Sequence, residues 1–183
     1  MTQSNSITRR IVLTGAPSTG KTSVAERLQV LGHEVKREIS RDIITQEGTK
    51  LGGVDPWRNL LAFSEVIWKL RTAQYAEAEG VNGSVFYDRS LLDTLSYMQA
   101  GSQEIPSWMD ATPFPYYYKV FIFPPWEDIY RTDQERWEPF ETAVRVHDSL
   151  VSTYSRGGYE LIEVPRKPVD ERVEFILHVL GRS

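Results

Sequence analysis

No cysteine occurs among the 183 residues, which rules out a disulfide framework, a thiolate zinc site and an iron–sulfur cluster. Three histidines, His33, His147 and His178, lie too far apart for metal-ligand spacing, and packing or surface roles suit them. Positive charge is scarce as well. The 21 Lys and Arg residues face 25 Asp and Glu, a formal net charge of −4, so bulk electrostatics gives no grounds for a nucleic-acid partner. No run approaches the roughly 18 consecutive apolar residues that a membrane span needs. The polar N-terminus has no apolar stretch behind its charges, unlike a signal peptide. These absences predict a cytoplasmic protein with no membrane partner, a mobile tail over residues 1–8 and one domain over residues 9–183. Oligomeric state stays open.

What is present is patterning. Hydrophobic residues make up 40% and charged ones 25%, a balance that builds a core rather than a disordered chain. Short apolar runs at residues 10–14, 84–88, 117–123 and 159–164 read as strands, and the more polar stretch 34–37 as a fifth strand at a sheet edge. Helical spacing marks residues 21–31, 39–46, 57–79, 91–100, 126–137, 140–155 and 169–180. The 57–79 stripe runs Leu60, Phe63, Ile67, Leu70 and Gln74; that of 140–155 runs Val144, His147, Val151 and Tyr154. Strands alternating with helices predict right-handed crossovers and an α/β fold: a five-stranded parallel sheet with helices on both faces, in three layers. Ligands of such sheets bind at the carboxyl ends of the strands.

The segment from Gly15 to Thr22 fits G-x-x-x-x-G-K-[ST], directly after a predicted strand and before a predicted helix. From average residue usage, a chance match in a chain this long has a probability of roughly one in a hundred. Each part has a physical job. Glycines let the backbone turn so that successive N–H groups point at phosphate oxygens, and the positive end of the helix dipole adds to that field. Lys21 reaches the β- and γ-phosphates, and the Thr22 hydroxyl ligates Mg²⁺. The nucleotide-binding set is therefore Gly15, Ala16, Pro17, Ser18, Thr19, Gly20, Lys21, Thr22 and Ser23, with ATP and Mg²⁺ as the expected cofactors and a P-loop NTPase as the expected fold.

The run Val85-Phe86-Tyr87-Asp88 delivers a carboxylate to the end of a strand beside this cradle. Asp88 there either holds the metal or caps the helix that begins near Leu91. Hydrolytic ATPases place a glutamate after that acid; here it is Arg89, which suits clamping an acceptor or a transferred phosphoryl group. Neither N-K-x-D nor D-x-x-G occurs, which argues against a GTPase.

At these residues the chain resembles known kinases. Asp88-Arg89-Ser90, Asp93 and Ser96-Tyr97-Met98-Gln99 are similar to the D-R-Y-x-x-S-x-x-A-Y-Q pattern of thymidylate kinases, with Ser90 in place of its tyrosine, and to the E-R-S motif of deoxynucleoside kinases. Glu38-Ile39-Ser40-Arg41 resembles the E-x-x-R element of the nicotinamide-riboside kinase domain of the bacterial NAD-biosynthesis regulator. Over nearly its whole length the chain resembles the predicted-ATPase "AAA domain" family related to those kinases.

That resemblance implies roles for further residues. Glu38, emerging after the second strand, is placed where nucleoside kinases keep a general base, so either it or Asp88 takes the acceptor's proton. Arg41 shares its helical face and either orients Glu38, binds substrate, or forms an ordinary surface ion pair. Arg131 and Arg136 fall where these kinases carry a mobile lid whose arginines neutralise the transferred phosphoryl group; a solvated charged helix is the alternative. Arg166 is expected near the adenine. Arg89 and Asp93, with Glu65 and Gln74, are candidate acceptor contacts, and Trp108, Phe114, Tyr116, Tyr117 and Tyr118 form either an acceptor wall or core. Two functions follow: a kinase for a small-molecule acceptor, and a nucleotide-binding regulator or slow ATPase working through a partner protein.

Overall fold

Alternation along a single strand sorts the core into two layers. The computed structural model describes residues 8–40, 43–44, 59–130 and 139–181. Its first strand, β1 (Arg9–Gly15), sends Val12 to one face of a sheet and Ile11 and Leu13 to the other, as the two-residue period of a strand requires. Helix α1 (Lys21–Val30) follows, then β2 (Glu34–Lys36), α2 (Leu60–Glu77), β3 (Ser84–Asp88), α3 (Leu91–Ala100), β4 (Lys119–Phe123), α4 (Phe140–Arg156), β5 (Glu160–Glu163) and α5 (Val169–Val179). The strands lie in the order β2-β3-β1-β4-β5, all parallel, with β2 at the predicted edge.

One face of the sheet packs Val12, Tyr87 and Ile122 against Leu150 and Tyr154 of α4. The opposite face packs Leu13, Phe86 and Phe121 against Leu28 of α1 and Ile176 of α5. Both faces are therefore covered, which is why β1, β3 and β4 read as almost unbroken apolar runs. The chain leaves β1 for one side of the sheet and returns to the other, so the carboxyl end of β1 lies at the switch point where such sheets bind ligands. No helix among the described residues is long and apolar enough to cross a membrane.

Several expectations are corrected. On α2 the buried stripe is Phe63, Ser64, Ile67, Trp68 and Arg71, and Leu70 is exposed. On α4 it is Ala143, Val146, Leu150, Thr153 and Tyr154, with Val144 exposed. In both cases side chains of small or polar type lie on the true inner face. The helix expected over residues 126–137 is one 3₁₀ turn, Glu127–Ile129, which the extended backbone of Tyr130 ends; residues 131–138 lie outside the described residues. The same holds for half of the helix expected over 39–46 and for residues 1–7 of the expected tail.

Candidate functional site

Two helices begin at the carboxyl edge of the sheet, and their first turns differ in one decisive respect. At α3, Ser90 accepts from the Leu92 amide and the Asp93 carboxylate accepts from the Ser90 amide at 2.9 Å, a complete capping box. At α1, Gly20 is the cap residue, no side chain caps it, and the first turn holds no acidic group. The amides and positive end of α1 thus remain available to an anion. Asp88 is not the cap of α3, because Ser90 and Asp93 do that work.

The loop leading into α1 is shaped by glycine where nothing else fits. Gly15 has φ 147°, and a Cβ on it would lie 2.5 Å from the Phe123 carbonyl oxygen of the neighbouring strand. Within the loop, Lys21 is buried, its Nζ donating to the Ala16 carbonyl at 2.6 Å and to Thr19 Oγ1 at 3.1 Å. Burial first, and the neighbouring Arg89 guanidinium second, pull the Lys21 ammonium down to about 7, against the pull of Asp88, Glu38 and Asp93.

Register places the acid. Leu13 pairs with Asp88, so β3 ends level with the start of the cradle. The Thr22 hydroxyl donates to Asp88 Oδ2 at 2.9 Å, while Asp88 Oδ1 is buried with no hydrogen-bond partner among the described residues. Burial and the nearby Glu38 carboxylate hold Asp88 above the usual carboxylate range, against Lys21 and Arg89. A hydroxyl beside a carboxylate oxygen left unsatisfied fits a hard divalent cation. No cluster of three or more His, Asp or Glu side chains that could hold a metal ion exists among the described residues.

Arg89 sits at the turn from β3 to α3 in a left-handed conformation, φ 77°, that non-glycine residues adopt at a cost of roughly 1–3 kcal/mol. Its amide bonds the Leu13 carbonyl at 3.0 Å, and the twist sends the guanidinium back across the cradle. There Nη1 donates to the Gly15 carbonyl at 3.2 Å, Nε pairs with Glu38 Oε2, and the group lies 5.2 Å from the Tyr97 ring centroid. Glu38 is shared with Arg71, 3.4 Å away, and accepts from the Ser40 amide at 3.0 Å. Burial would raise the Glu38 carboxyl, but Arg89, Arg71 and the Ser40 bonds outweigh it and hold the group at about 2.

Pro17 through Ser23, Glu38, Asp88, Arg89 and Arg172 line one cleft of about 560 Å³. Several expected contacts find other places. Asp93 is fully buried, bonded to Thr14 Oγ1 at 2.7 Å, to the Ser90 amide and to the Tyr154 hydroxyl at 2.5 Å, which leaves no free edge for an acceptor. Arg166 lies outside the cleft lining and gives Nε and Nη2 to the Pro125 carbonyl at 3.2 and 3.0 Å. Gln74 donates to the Arg37 carbonyl at 2.9 Å, fastening the end of β2, and Glu65 is not in the cleft lining. Of the aromatic group, Tyr116 is core, Tyr117 and Tyr118 stack on each other at 4.7 Å, and none of the five lines this cleft. Arg41, Arg131 and Arg136 lie outside the described residues.

Sequence reasoning missed Arg71, Tyr154 and Arg172. Arg71 is buried and donates to the Ser90 carbonyl at 2.7 Å and Thr94 Oγ1 at 2.9 Å, tying α2 to the turn that carries Arg89. One signal was available: Arg71 follows Ser64, Ile67 and Trp68 on their own stripe, where a charge must find partners.

Comparison with known proteins agrees with this fold. The model of a family described as "AAA domain" matches residues 10–172. No curated protein sequence matches the chain. Among solved structures, the deoxyadenosine kinase of M. mycoides with bound dATP is similar at TM-score 0.64 and 15% identity, over 94% of this chain and 99% of that one. The thymidylate kinase of Candida albicans is similar at 0.68 and 13%, over 94% and 91%. The NadR protein in complex with NR is similar at 0.69 and 16%, over 96% of this chain but 50% of that one. All three share the fold of P-loop kinases with this chain.

Proposed function

The chain belongs to the AAA-domain family, and from that premise we propose that it is an ATP- and Mg²⁺-dependent kinase acting on a small hydroxyl-bearing acceptor. The acceptor class is a nucleoside, a nucleotide or a related metabolite. One observation carries the reading: the uncapped start of α1, the Thr22–Asp88 pair and the Glu38–Arg89 pair all face one cleft. A cradle alone suits any nucleotide-dependent protein; a buried carboxylate–guanidinium pair beside it is what an acceptor site adds. The kinases among the similar structures support the same class.

The cradle amides hold the donor's phosphates, and Lys21 leaves the Ala16 carbonyl to meet their oxygens. Thr22 and Asp88 are the proposed ligands of Mg²⁺, which when bound would neutralise charge on the phosphates. The acceptor oxygen attacks the γ-phosphorus in line, the bond from that phosphorus to the bridging oxygen breaks, and ADP departs with the electron pair. The acceptor's proton goes to one of the two carboxylates that line the cleft, Glu38 or Asp88. Held near 2, Glu38 is ionised but weakly basic. In a loose transition state the proton leaves late, and position counts for more than basicity. Arg89 fixes Glu38 and faces the acceptor. Arg131 and Arg136 are proposed to belong to a lid that stabilises the transferred phosphoryl group and shuts out water, and Arg41 to contact the acceptor.

The test is ATP consumption across a panel of nucleosides, nucleotides and phosphorylatable metabolites. One acceptor that stimulates turnover and appears phosphorylated establishes the kinase. ATP hydrolysis indifferent to every acceptor would favour the regulator or slow ATPase.

A further inference from the structure

Three arginines of the described chain are buried: Arg71, Arg89 and Arg172. The first two pair with Glu38. Arg172, in the first turn of α5, pairs with no carboxylate among the described residues. It is 5% exposed, its Nη1 donates to the Thr19 carbonyl at 3.0 Å, and its Nε is buried without any partner. Burying a guanidinium without a counter-ion is costly, and burial holds it below the ordinary arginine range.

The surroundings say what the group is doing there. A Cβ on Gly20 would lie 2.7 Å from Nη1 and 3.0 Å from Nη2, so the guanidinium rests against the Gly20 backbone. On the side of the sheet it lies 6.0 Å from the Phe123 ring centroid and 5.8 Å from that of Trp126, a cation held by π faces. Gly20 itself is left-handed, φ 79°, and is the residue from which the open first turn of α1 departs. Arg172 also lines the cleft.

Resting on the reading of this cleft as a donor-nucleotide site, we propose that Arg172 is a positioning residue for the polyphosphate of the donor. It grips the Thr19 carbonyl and braces Gly20, which fixes the backbone from which the following amides depart. Its uncompensated charge, a few ångströms behind the loop, adds to the field felt by phosphate. The occupant that the buried charge awaits is thus a nucleotide's phosphate chain, common to ATP and ADP.

Calorimetric binding of ATP, ADP and inorganic tripolyphosphate to the full chain tests this, comparing wild type, Lys21→Ala, Arg172→Met and Arg172→Lys, each checked for folding by circular dichroism. Arg172→Met should weaken all three ligands about tenfold or more, tripolyphosphate included, and steady-state kinetics should show KM for ATP rising more than kcat falls. Arg172→Lys should recover only part, because an ammonium restores charge but not the fork that spans Thr19 and Gly20. Unchanged tripolyphosphate binding by folded Arg172→Met would overturn the proposal. Loss confined to the adenosine-bearing ligands would also overturn it, by making Arg172 a base contact. Should Arg172→Met fail to fold, wild-type affinity in Arg172→Lys would be equally fatal. A wild type that binds neither ATP nor tripolyphosphate sinks the donor-site reading itself, whereas wild-type binding abolished by Lys21→Ala keeps that reading whatever Arg172 does.

Discussion

The Thr22 hydroxyl donates to Asp88 Oδ2 across 2.9 Å, joining the first turn of α1 to the end of a strand 66 residues further along the chain. The other carboxylate oxygen, Oδ1, stays buried and unpaired among the described residues. Asp88→Asn keeps the shape and the Thr22 contact but removes the charge a divalent cation needs. Phosphoryl transfer should fall by at least about 10²-fold, the scale of losing a preorganised electrostatic contact, while ADP affinity measured without metal stays within about threefold. Turnover equal to wild type would reduce Asp88 to a structural acid.

ATP with Mg²⁺ should raise the melting temperature, because a ligand that binds only the folded state stabilises it by mass action, about 2.7 kcal/mol at a hundredfold excess over Kd. Lys21→Ala should lose that shift. The variant also removes a buried ammonium that is held well below its ordinary range, so its own stability without ligand should not drop. An equal ATP shift in wild type and variant would place the nucleotide elsewhere.

Glu38 makes a prediction about acid. Its carboxyl is lowered in the folded protein from 4.5 to about 2, so its ion pairs contribute stability that is complete above pH 4.5 and is lost as pH falls toward 2. Glu38→Gln should therefore be less stable than wild type near pH 6, with the gap narrowing as pH falls through that window. Urea unfolding of both proteins from pH 6 down to pH 2.5 reads the difference directly. A gap that stays constant over the range would mean that Arg89 and Arg71 do not hold the carboxylate ionised.

Tyr154 reaches from α4 to Ser90 Oγ at 2.6 Å and to Asp93 Oδ2 at 2.5 Å. Tyr154→Phe deletes one oxygen and leaves a buried carboxylate short of a donor, at a cost of about 1–3 kcal/mol. Asp93 also stands 3.5 Å from Arg89 Nη1, so the loss should reach the acceptor side of the cleft. Turnover should fall while KM for ATP holds. Denaturant unfolding beside steady-state kinetics checks both, and a stability change under about 0.5 kcal/mol, the size of an ordinary surface substitution, would remove Tyr154 from this network.

The cradle and the sheet were legible because their signals are local. Four strands could be read from apolar runs, since strands that pack into a covered sheet must carry apolar side chains, and the edge position of β2 followed from its polarity. Gly15 to Thr22 announced an anion site because glycine spacing and a following helix suffice to build one. Asp88 could be placed beside it from the strand that carries it. These features depend on neighbours a few residues away.

Asp93, Arg166, Arg71 and Arg172 were decided by contacts that no short window contains. Asp93 looked like an acceptor contact and became the buried partner of Thr14 and of Tyr154, 61 residues on. Arg166 and Arg172 lie six residues apart near the end of the chain, and the sequence reading chose Arg166. Folding sends Arg166 to the Pro125 carbonyl and buries Arg172 against Thr19, 153 residues away. A buried arginine on an amphipathic helix has the same letter as a solvated one. What separates them is whether packing takes the guanidinium out of water, and that cost is set by the groups the tertiary structure brings to it.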